Sequence, residues 1–473
     1  MKKISKYLLS IIFIQLLSSV LLTPSTLAKA PDINGGVMNE YEYEEVFFLT
    51  GTPLVFKGKA TVSEKENKDQ VTTTYKFTLT NGTDNKLTRS VVYVSTLDNH
   101  EDKGQTTSDT VVKSYSEKVT IGKDASYTLE DYQFSEGSVI DNRPASDYSS
   151  GNIVGRKIYE TKNKEVITVF LGGKNVGYEN FWGATETQLM DYAIESNQGT
   201  AFITSKVSDS KSRVLQYEPH TPSLGSFVGG HSVISKSNMI AEYEYDIPYG
   251  AGKGTINLNK EKVPTISRLI VPKFRDLANN SSKDAIERLY SLGVFDESSP
   301  FFSPYTPMKR YQFTIGLLKA VDLRVLEQPK KSKVPRKAIF NDLDAKEKDY
   351  PFIESAVEKG IIYGINPTTF APNAPITRAQ AVTIFVRALG MEGRAPSPGY
   401  KTNYVDDKKI PNFARDSVYV ATELGLIYGD TQNRFNSTQP LTRAQASTML
   451  VRFLDFLEND LKQNYRDDML FFE

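Results

Sequence analysis

Three arginines recur about 65 residues apart, each just before an apolar run with helical spacing. Arg378 and Arg443 both lie in the tetrapeptide Thr-Arg-Ala-Gln, and Arg310 lies in Lys-Arg-Tyr-Gln. A planar guanidinium pairs with a carboxylate through two parallel hydrogen bonds. The backbone N–H groups of a first helical turn also favour an anion. These properties fit either an anion-binding position or a salt bridge between repeats.

The residues around these arginines predict how the second helix of each copy begins. Thr377 with Gln380, and Thr442 with Gln445, form capping-box sequences, in which the threonine oxygen accepts a backbone hydrogen bond and the glutamine reaches back. A capping box places no demand on its second position, and a positive charge there opposes the helix macrodipole. The repeated arginine therefore has another role. In copy one Lys309 replaces the threonine, so the capping box is lost.

Glycine and acidic residues recur at fixed offsets from the arginines. Gly364 and Gly429 follow the first helix of copies two and three, where we expect a positive φ or a close approach of the backbone to a neighbour. Glu297 occupies the matching position in copy one. An aspartate opens each copy, where short acidic side chains often form an Asx turn or cap a helix. These aspartates are Asp276, Asp342 and Asp406.

The full frame repeats three times: an aromatic residue two positions before an aspartate, a helix, a glycine turn, a phenylalanine, a short loop and a second helix. The copies span residues 274–325, 340–392 and 404–457, and residues 458–473 form a tail. Such a period predicts packed supersecondary units. The frame closely resembles the S-layer homology (SLH) family over about 185 residues, most specifically in the two Thr-Arg-Ala-Gln segments.

The resemblance implies an all-α module of three helical repeats packed about a pseudo-threefold axis. It also implies that grooves between repeats bind an acidic secondary cell wall polysaccharide, often one with ketal-linked pyruvate. The motif arginine would bind the acidic group, and the opening aspartate would touch sugar hydroxyls at the groove rim. The candidate polysaccharide-binding residues are Arg310, Arg378, Arg443, Asp276, Asp342, Asp406, Thr377, Thr442, Gln380, Gln445, Gly364 and Gly429.

Copy one departs from the family pattern at Lys309, Tyr311 and Glu297. We therefore expect it to bind ligand less well or to be mainly structural. Phe352 and Phe413 stand where the family usually has tryptophan. Their expected role is core packing, and stacking on a sugar is the alternative.

Residues 31–265 have a β-like pattern and precede the helical copies. Between Val71 and Leu79 apolar and aromatic residues alternate with threonine and lysine, which is the period of a half-buried strand. Asn81-Gly82 marks a turn, and one helix is expected at Thr185–Glu195. This half forms one large β-rich domain, or two with a division near residue 150. Further strands are expected at residues 53–63, 90–97, 165–170, 201–207 and 239–247.

Composition limits the chemistry that the chain can perform. The 473 residues have a formal net charge of zero, which argues against nucleic acid as the main partner. No cysteine is present, so disulfides, thiolate catalysis and cysteine-bound zinc are excluded. The histidines, His100, His220 and His231, lie in no metal-binding or hydrolase motif. We expect no metal, cofactor or catalytic residue, although a carboxylate pair of the glycosidase type stays an open alternative.

Residues 1–30 predict export. Three lysines precede an apolar run from Tyr7 to Leu22, and Ala28-Lys29-Ala30 supplies a small-residue cleavage site, as in a secretory signal peptide. The run is short for a spanning helix, which needs roughly 20 residues. An uncleaved N-terminal anchor is the alternative. No later segment is apolar enough to cross a bilayer, and no Leu-Pro-x-Thr-Gly sorting signal occurs, so we expect no transmembrane anchor after cleavage.

These expectations combine into a hypothesis about function. The chain is predicted to be multidomain, with a mostly-β N-terminal part displayed by an all-α module that anchors it non-covalently to acidic, pyruvylated cell wall polysaccharide. The expected location is the cell wall of a Gram-positive bacterium, in a surface layer where the β-rich part self-associates. Two alternatives stay open for that part: a polysaccharide-active enzyme, or a solute- or glycan-binding domain.

Overall fold

The computed structural model of the chain describes residues 34–67, 69–100, 104–219, 230–321, 338–396 and 400–460. The predicted signal peptide, residues 1–30, lies outside the described residues, as does most of the predicted tail. Within them, a large antiparallel β-sheet formed by the N-terminal half is followed by a C-terminal group of helices. The predicted order, a mostly-β part before a helical part, is confirmed.

The β half consists of fourteen described strands in one sheet. Strands that follow each other in the chain are neighbours in the sheet from the first to the thirteenth, and the last pairs with the twelfth. The strands are β1 (Val37–Met38), β2 (Tyr43–Phe47), β3 (Leu54–Asn67), β4 (Gln70–Asn81), β5 (Asn85–His100), β6 (Gln105–Ile121), β7 (Ala125–Asn142), β8 (Asp147–Thr161), β9 (Val166–Glu179), β10 (Gly183–Ser196), β11 (Gly199–Glu218), β12 (Gly230–Ile247), β13 (Gly252–Glu261) and β14 (Thr265–Arg268).

Alternation of side chains along the strands forms the core of this sheet. On β4, Tyr75, Phe77 and Leu79 are buried while Lys76 and Thr78 are exposed, which confirms the period-two prediction. The ring of Tyr75 stacks on that of Phe77 in the same strand and meets the edge of Tyr93 on the neighbouring β5. The predicted turn after β4 is also confirmed, because Gly82 has a φ of +70° there.

Two expectations for the β half need correction. The helix expected at Thr185–Glu195 is wrong, because these residues lie in β10, which pairs with β9 and β11 along its length. Met190 and Ile194 are buried and four residues apart, a spacing that fits a helix as well as a strand. The backbone hydrogen bonds to a neighbouring strand on each side favour the strand over the helix. The alternative division near residue 150 falls inside β8, which pairs continuously with β7 and β9 at that point.

A buried group of charges holds strands from different parts of the sheet together. Arg89 donates to Glu45 at 2.7 Å and to Glu117 at 2.8 Å, and all three side chains are almost fully buried. Burial raises the pKa of the Glu117 carboxyl, but the charges of Arg89 and Lys157, together with hydrogen bonds from Arg89 and Tyr159, outweigh this effect, so that the pKa is lowered. Removing one partner would leave an unpaired buried charge, so this network favours a single arrangement of the strands.

The helical half contains two α-helices in each predicted copy. Among the described residues, no helix is long and apolar enough to cross a membrane. The first and second helices of each copy are connected by a glycine turn and a loop. The helices are α1 (Lys283–Ser291), α2 (Arg310–Ala320), α3 (Tyr350–Glu358), α4 (Arg378–Leu389), α5 (Asn412–Glu423) and α6 (Arg443–Asp455).

The three second helices meet in the centre of the helical half. Phe385 of α4 contacts Phe313 of α2 and Phe453 of α6, with ring centroids 5.6 and 4.9 Å apart. All three rings are fully buried. Offset aromatic contacts of this kind add to the free energy of burial. This stack connects the three copies through one phenylalanine from each second helix, although the three lie at different turns of their helices.

The segments before these helices bond to each other in a closed cycle. The N–H of Met308 donates to the carbonyl of Leu441, that of Leu441 to Ile376, and that of Ile376 to Met308, at 2.8–3.0 Å. Each of the three side chains is buried. Because every donor in the cycle is satisfied by a carbonyl of another copy, no copy can shift without breaking two bonds.

The two halves of the chain share an apolar cluster. Trp182, which follows β9, is fully buried together with Tyr148 and Tyr178, and this group belongs to the same cluster as the helical core. Asn180 also donates to the carbonyl of Leu457 at 3.2 Å. The β half is therefore packed against the helices as well as connected to them through the chain.

Truncation of Phe385 tests the central role of the aromatic stack. Phe385→Ala should lower the free energy of unfolding of the helical half by about 3–5 kcal/mol, because it leaves a cavity between the other two rings. The measurement is urea denaturation followed by circular dichroism at the helical band. Phe413→Ala is the matched control, since Phe413 is 55% exposed, and its effect should stay within about 0.5 kcal/mol. Equal losses in both variants would contradict the assignment.

Candidate functional site

The three motif arginines lie at equivalent places in the helical half. Arg310, Arg378 and Arg443 are the first residues of α2, α4 and α6. Each guanidinium lies over the ring of a buried phenylalanine that belongs to the next copy, in cyclic order. The distances from the guanidinium carbon to the ring centre are 4.8 Å for Arg310 and Phe370, 5.2 Å for Arg378 and Phe435, and 4.5 Å for Arg443 and Phe302.

Arg310 and Arg378 have incomplete hydrogen bonding. The Nη2 of Arg310 donates to the carbonyl of Tyr363 at 2.7 Å, and the Nη2 of Arg378 donates to the carbonyl of Tyr428. The Nε of each is buried and has no hydrogen-bond partner. Burial lowers the pKa of both groups. Each is thus a partly desolvated cation with a free donor, a state that an incoming anion would stabilise.

Arg443 differs because its charge is matched within the chain. Its Nη2 donates to the carboxylate of Glu297 at 2.6 Å, its Nη1 to Gln312 at 3.2 Å and its Nε to the carbonyl of Phe302 at 2.9 Å. The alternative interpretation of the motif arginine, a salt bridge between repeats, therefore describes the contact made by Arg443. The described residues show no such ion pair for Arg310 or Arg378.

The opening aspartates hold the loop that contains the phenylalanine. Each accepts two backbone N–H groups, from the phenylalanine and from the residue after it, at 2.7–2.9 Å. That following residue has a left-handed φ near +60° in all three copies. The expected local Asx turn or helix cap is wrong as the main role, because these partners lie 26–30 residues away. The aspartates are Asp276, Asp342 and Asp406.

These backbone hydrogen bonds also lower the pKa of two of the aspartates, Asp276 and Asp342. Burial by itself raises the pKa of Asp342, but the N–H groups of Phe370 and Ala371 lower it more. The pKa of Asp276 is lowered in the same way. These carboxylates therefore stay ionised, and each fixes the phenylalanine beneath the arginine of another copy.

Both predicted capping boxes are confirmed. The Thr377 hydroxyl accepts from the N–H of Gln380 at 3.3 Å, and the Gln380 side chain accepts from the Thr377 N–H at 3.1 Å. Thr442 and Gln445 make the same pair of bonds at 3.2 and 2.9 Å. Lys309, at the matching place before α2, makes no side-chain cap. The caps fix the first turn from which Arg378 and Arg443 project.

The predicted glycines are explained by a close approach of the backbone. A Cβ at Gly364 would lie 2.3 Å from the carbonyl oxygen of Asn366, and one at Gly429 would lie 2.8 Å from the side chain of Asn433. The alternative, a positive φ at these two glycines, is wrong. The left-handed residues are instead Gly360 and Gly425, four positions earlier.

The aromatic residues at the start of α3 and α5 divide between two environments. Phe352 is half-buried and packs against the helical core, as expected. Phe413 is 55% exposed, so core packing is wrong for this residue. Its neighbour Ala414 takes the buried position on α5.

A groove of about 820 Å³ opens at Arg378, between copies two and three. This volume lies within the usual range for ligand sites. Its floor is Phe435, and a salt bridge between Arg434 and Asp430 lies at its wall. Sequence analysis identified four of its residues, Arg378, Asp406, Gly429 and Gln445. It missed polar residues in or next to the loop of copy three, because they recur in no motif: Lys409, Arg434, Asn436 and Gln439.

The β half contains one close pair of carboxyl groups that the sequence did not single out. The Nδ2 of Asn175 lies 2.9 Å from an oxygen of Glu136 and 3.4 Å from one of Glu186, which places those oxygens within about 6 Å of each other. Burial and the charge of Glu186 raise the pKa of Glu136 to about 8. Glu136 is only 5% exposed, whereas Glu186 is exposed.

Two segments of the helical half match a known domain family. The S-layer homology domain matches residues 339–382 and 403–447, which lie largely within predicted copies two and three. The helical half thus contains two S-layer homology domains, each with its Asp, Gly, Phe and Thr-Arg-Ala-Gln residues. In both, the motif arginine is the first residue of the second helix.

Similar proteins include both surface-layer proteins and glycosidases. The chain is 33% identical over 122 residues to an endoglucanase of Bacillus sp. (strain KSM-635), which is 26% of this chain and 12% of that protein. It is 26% identical over 254 residues to an amylopullulanase of Thermoanaerobacterium thermosulfurigenes, 53% of this chain and 12% of that protein. It is 25% identical over 197 residues to the surface-layer 125 kDa protein of Lysinibacillus sphaericus, 41% of this chain and 16% of that protein.

The chain therefore spans 12–16% of the length of these relatives. The two domain matches and the similarity to surface-layer proteins indicate a secreted, cell-wall-associated surface protein.

Removal of one cap tests how much the capping box stabilises the arginine-bearing turn. Thr377→Ala should lower the free energy of unfolding by about 1 kcal/mol, because one N–H of the first turn loses its acceptor. Lys309→Ala, at the matching position without a cap, should change it by less than about 0.5 kcal/mol. Both values come from urea denaturation followed by circular dichroism. An effect of Lys309→Ala as large as that of Thr377→Ala would contradict the capping role.

The raised pKa of Glu136 predicts a pH-dependent stability. A carboxyl whose folded pKa is raised stabilises the fold at low pH, and this contribution is lost as the pH rises from 4.5 towards about 8. Glu136→Gln stays neutral, so its denaturation midpoint relative to the parent should be higher at pH 9 than at pH 5. Glu130→Gln, an exposed glutamate on the same strand, should show no such change. A pH-independent difference for Glu136→Gln would contradict the prediction.

Proposed function

We propose that the helical half is a module of three S-layer homology repeats, in which residues 274–321 form a diverged first copy. Three observations support this. The backbone cycle through Met308, Ile376 and Leu441 treats the three copies alike. The aromatic stack takes one phenylalanine from the second helix of each. The contacts between arginine and phenylalanine run in cyclic order, which is the arrangement that a pseudo-threefold axis requires.

The module anchors the protein, without a covalent bond, to an acidic polysaccharide of the cell wall. The observation that supports this most directly is Arg378, a largely buried guanidinium with an unpartnered Nε in an open polar groove. A carboxylate on the polymer, such as that of a pyruvate ketal, can accept from a guanidinium through two parallel bonds. The polar groups around Arg378 suit sugar hydroxyls, and Gln439 and Asn436 are among them.

Several such grooves on one module would bind one polymer chain together. After the first groove is occupied, the next binding event is intramolecular, so weak sites combine into a stable attachment. The β half, packed against the helices through Trp182, is then displayed at the cell surface. Self-association of displayed copies in a surface layer is part of this proposal, and the similarity to surface-layer proteins supports it.

The enzyme alternative requires an acid that a substrate can reach. Glu136 and Glu186 have a separation that suits a glycosidase pair, but Glu136 is 5% exposed. The backbone packs closely over it, since a Cβ at Gly151 would lie 3.2 Å from its Oε1 and 2.9 Å from the Cβ of Ser138. A general acid has to lie within hydrogen-bond reach of the substrate. We therefore propose anchoring and display, and assign no catalysis to this pair.

Binding to purified cell walls tests the proposal. Arg378→Ala should weaken co-sedimentation of the protein with walls that contain the acidic polymer by about ten- to a hundredfold, because it removes a charge-assisted contact. Arg378→Lys should recover only part of the binding, since an ammonium cannot form the two-pronged pair. The readout is the bound fraction as a function of wall concentration.

The matched control removes the same charge elsewhere. Arg268→Ala changes an exposed arginine on β14 and should bind like the parent. Circular dichroism checks that each variant keeps its helices. Unchanged binding of a folded Arg378→Ala protein, or binding of the parent to walls stripped of acidic polymer, would refute the groove.

A further inference from the structure

The three copies differ at one position that follows the first helix of each. Gly364 and Gly429 occupy it in copies two and three, and Glu297 occupies it in copy one. A side chain at Gly364 or Gly429 would collide with the following loop. The segment from this position to the loop phenylalanine is one residue shorter in copy one, where it ends at Phe302, than in the other two copies. Its different loop therefore has room for a carboxylate that the other two loops exclude.

Glu297 lies where the ligand of Arg443 would lie. Its Oε2 accepts from the Nη2 of Arg443 at 2.6 Å and from the hydroxyl of Tyr290 at 3.0 Å, and its Oε1 accepts from Gln312. Three protein groups thus fix the carboxylate against the guanidinium. This is the arrangement by which a protein would hold the carboxylate of a bound anion.

Arg443 retains no unpartnered nitrogen for a second anion. Its Nε, Nη1 and Nη2 donate to Phe302, Gln312 and Glu297 respectively. Arg310 and Arg378, by contrast, each keep a buried Nε without a partner. The three guanidiniums lie over equivalent phenylalanines. The difference in their hydrogen bonding therefore comes from the residues around each guanidinium, and not from its position.

We propose that Glu297 is an internal substitute for the ligand carboxylate, which closes the groove between copies three and one to the anionic polymer. This inference rests on the proposed function of the grooves. An intramolecular carboxylate has a high effective concentration, and it does not lose translational freedom on binding as a free ligand does. Glu297 therefore competes successfully with a weakly binding sugar acid, and the polymer is left with the unpartnered guanidiniums of Arg310 and Arg378.

Counting sites with a monovalent probe tests this proposal on the full chain. The probe is an N-acetylhexosamine with a pyruvate ketal, and isothermal titration gives the moles bound per mole of protein. Glu297→Gly, which restores the residue of the other copies, should raise the stoichiometry by one. Glu297→Gln keeps the shape without the charge and should raise it in the same direction, which covers the case that the glycine variant does not fold.

Variants of Arg443 identify the new site. Arg443→Ala should leave the stoichiometry of the parent unchanged and should remove the additional site from Glu297→Gly. Glu358→Gln, which removes a charge from an exposed position on α3, is the control for a general electrostatic effect and should bind like the parent.

Failure of the inference and failure of the proposed function give different results. If the parent binds the probe and the stoichiometry does not rise in either folded Glu297 variant, Glu297 does not close the groove. A loss of one site on Arg443→Ala in the parent would also overturn the inference. If neither the parent nor any variant binds the probe or the walls, the proposed function itself is wrong.

Discussion

The helical half depends on the cycle of backbone hydrogen bonds between the segments that precede its second helices. Met308, Ile376 and Leu441 each donate to another copy at 2.8–3.0 Å, and their side chains are buried. The cycle fixes where α2, α4 and α6 begin, so their first residues, the arginines, face the loop of a neighbouring copy. A single copy cannot form this arrangement, because its N–H group donates to a second copy and its carbonyl group accepts from the third. Any recognition that uses the arginines is thus a property of the assembled module.

The second element of each groove is held by the aspartate that opens the copy. Asp342 and its equivalents each accept two backbone N–H hydrogen bonds. These bonds stabilise a left-handed backbone conformation that residues other than glycine ordinarily avoid. The preceding phenylalanine then lies flat beneath the guanidinium. Exclusion of water raises the free-energy cost of leaving that charge unpaired, and the cation–π contact offsets part of this cost. Aspartate, phenylalanine and arginine therefore act as one unit, although they come from distant parts of the chain and from two copies.

Much of this arrangement could be predicted from sequence, because local signals determine it. The capping boxes at Thr377 and Thr442, the start of the helices at the arginines and the alternation on β4 all depend on neighbours within a few residues. Predictions failed where residues distant in the chain determine the local conformation or the hydrogen-bond partner. The aspartates looked like local turn formers, and their partners lie 26–30 residues away. Residues Thr185–Glu195 allowed a helix, but two neighbouring strands made them β10. No sequence pattern reports that Glu297 reaches Arg443, 146 residues away.

Charge balance explains how three copies that share the same backbone and aromatic contacts can differ around their arginines. The backbone cycle, the aromatic stack and the aspartate contacts are satisfied by each copy, so they resist change in any of them. The position of Glu297 lies outside these constraints, in a loop whose length can vary by one residue. A carboxylate there stabilises copy one, because it matches a guanidinium that would otherwise be buried without a counter-charge. The grooves that keep an unmatched guanidinium are less stable by themselves, and that unmet charge is what a polymer carboxylate can satisfy. In the proposed function, a motif arginine therefore contributes either to stability or to ligand binding: Arg443 pairs with Glu297, whereas Arg310 and Arg378 keep an unpartnered Nε for the polymer.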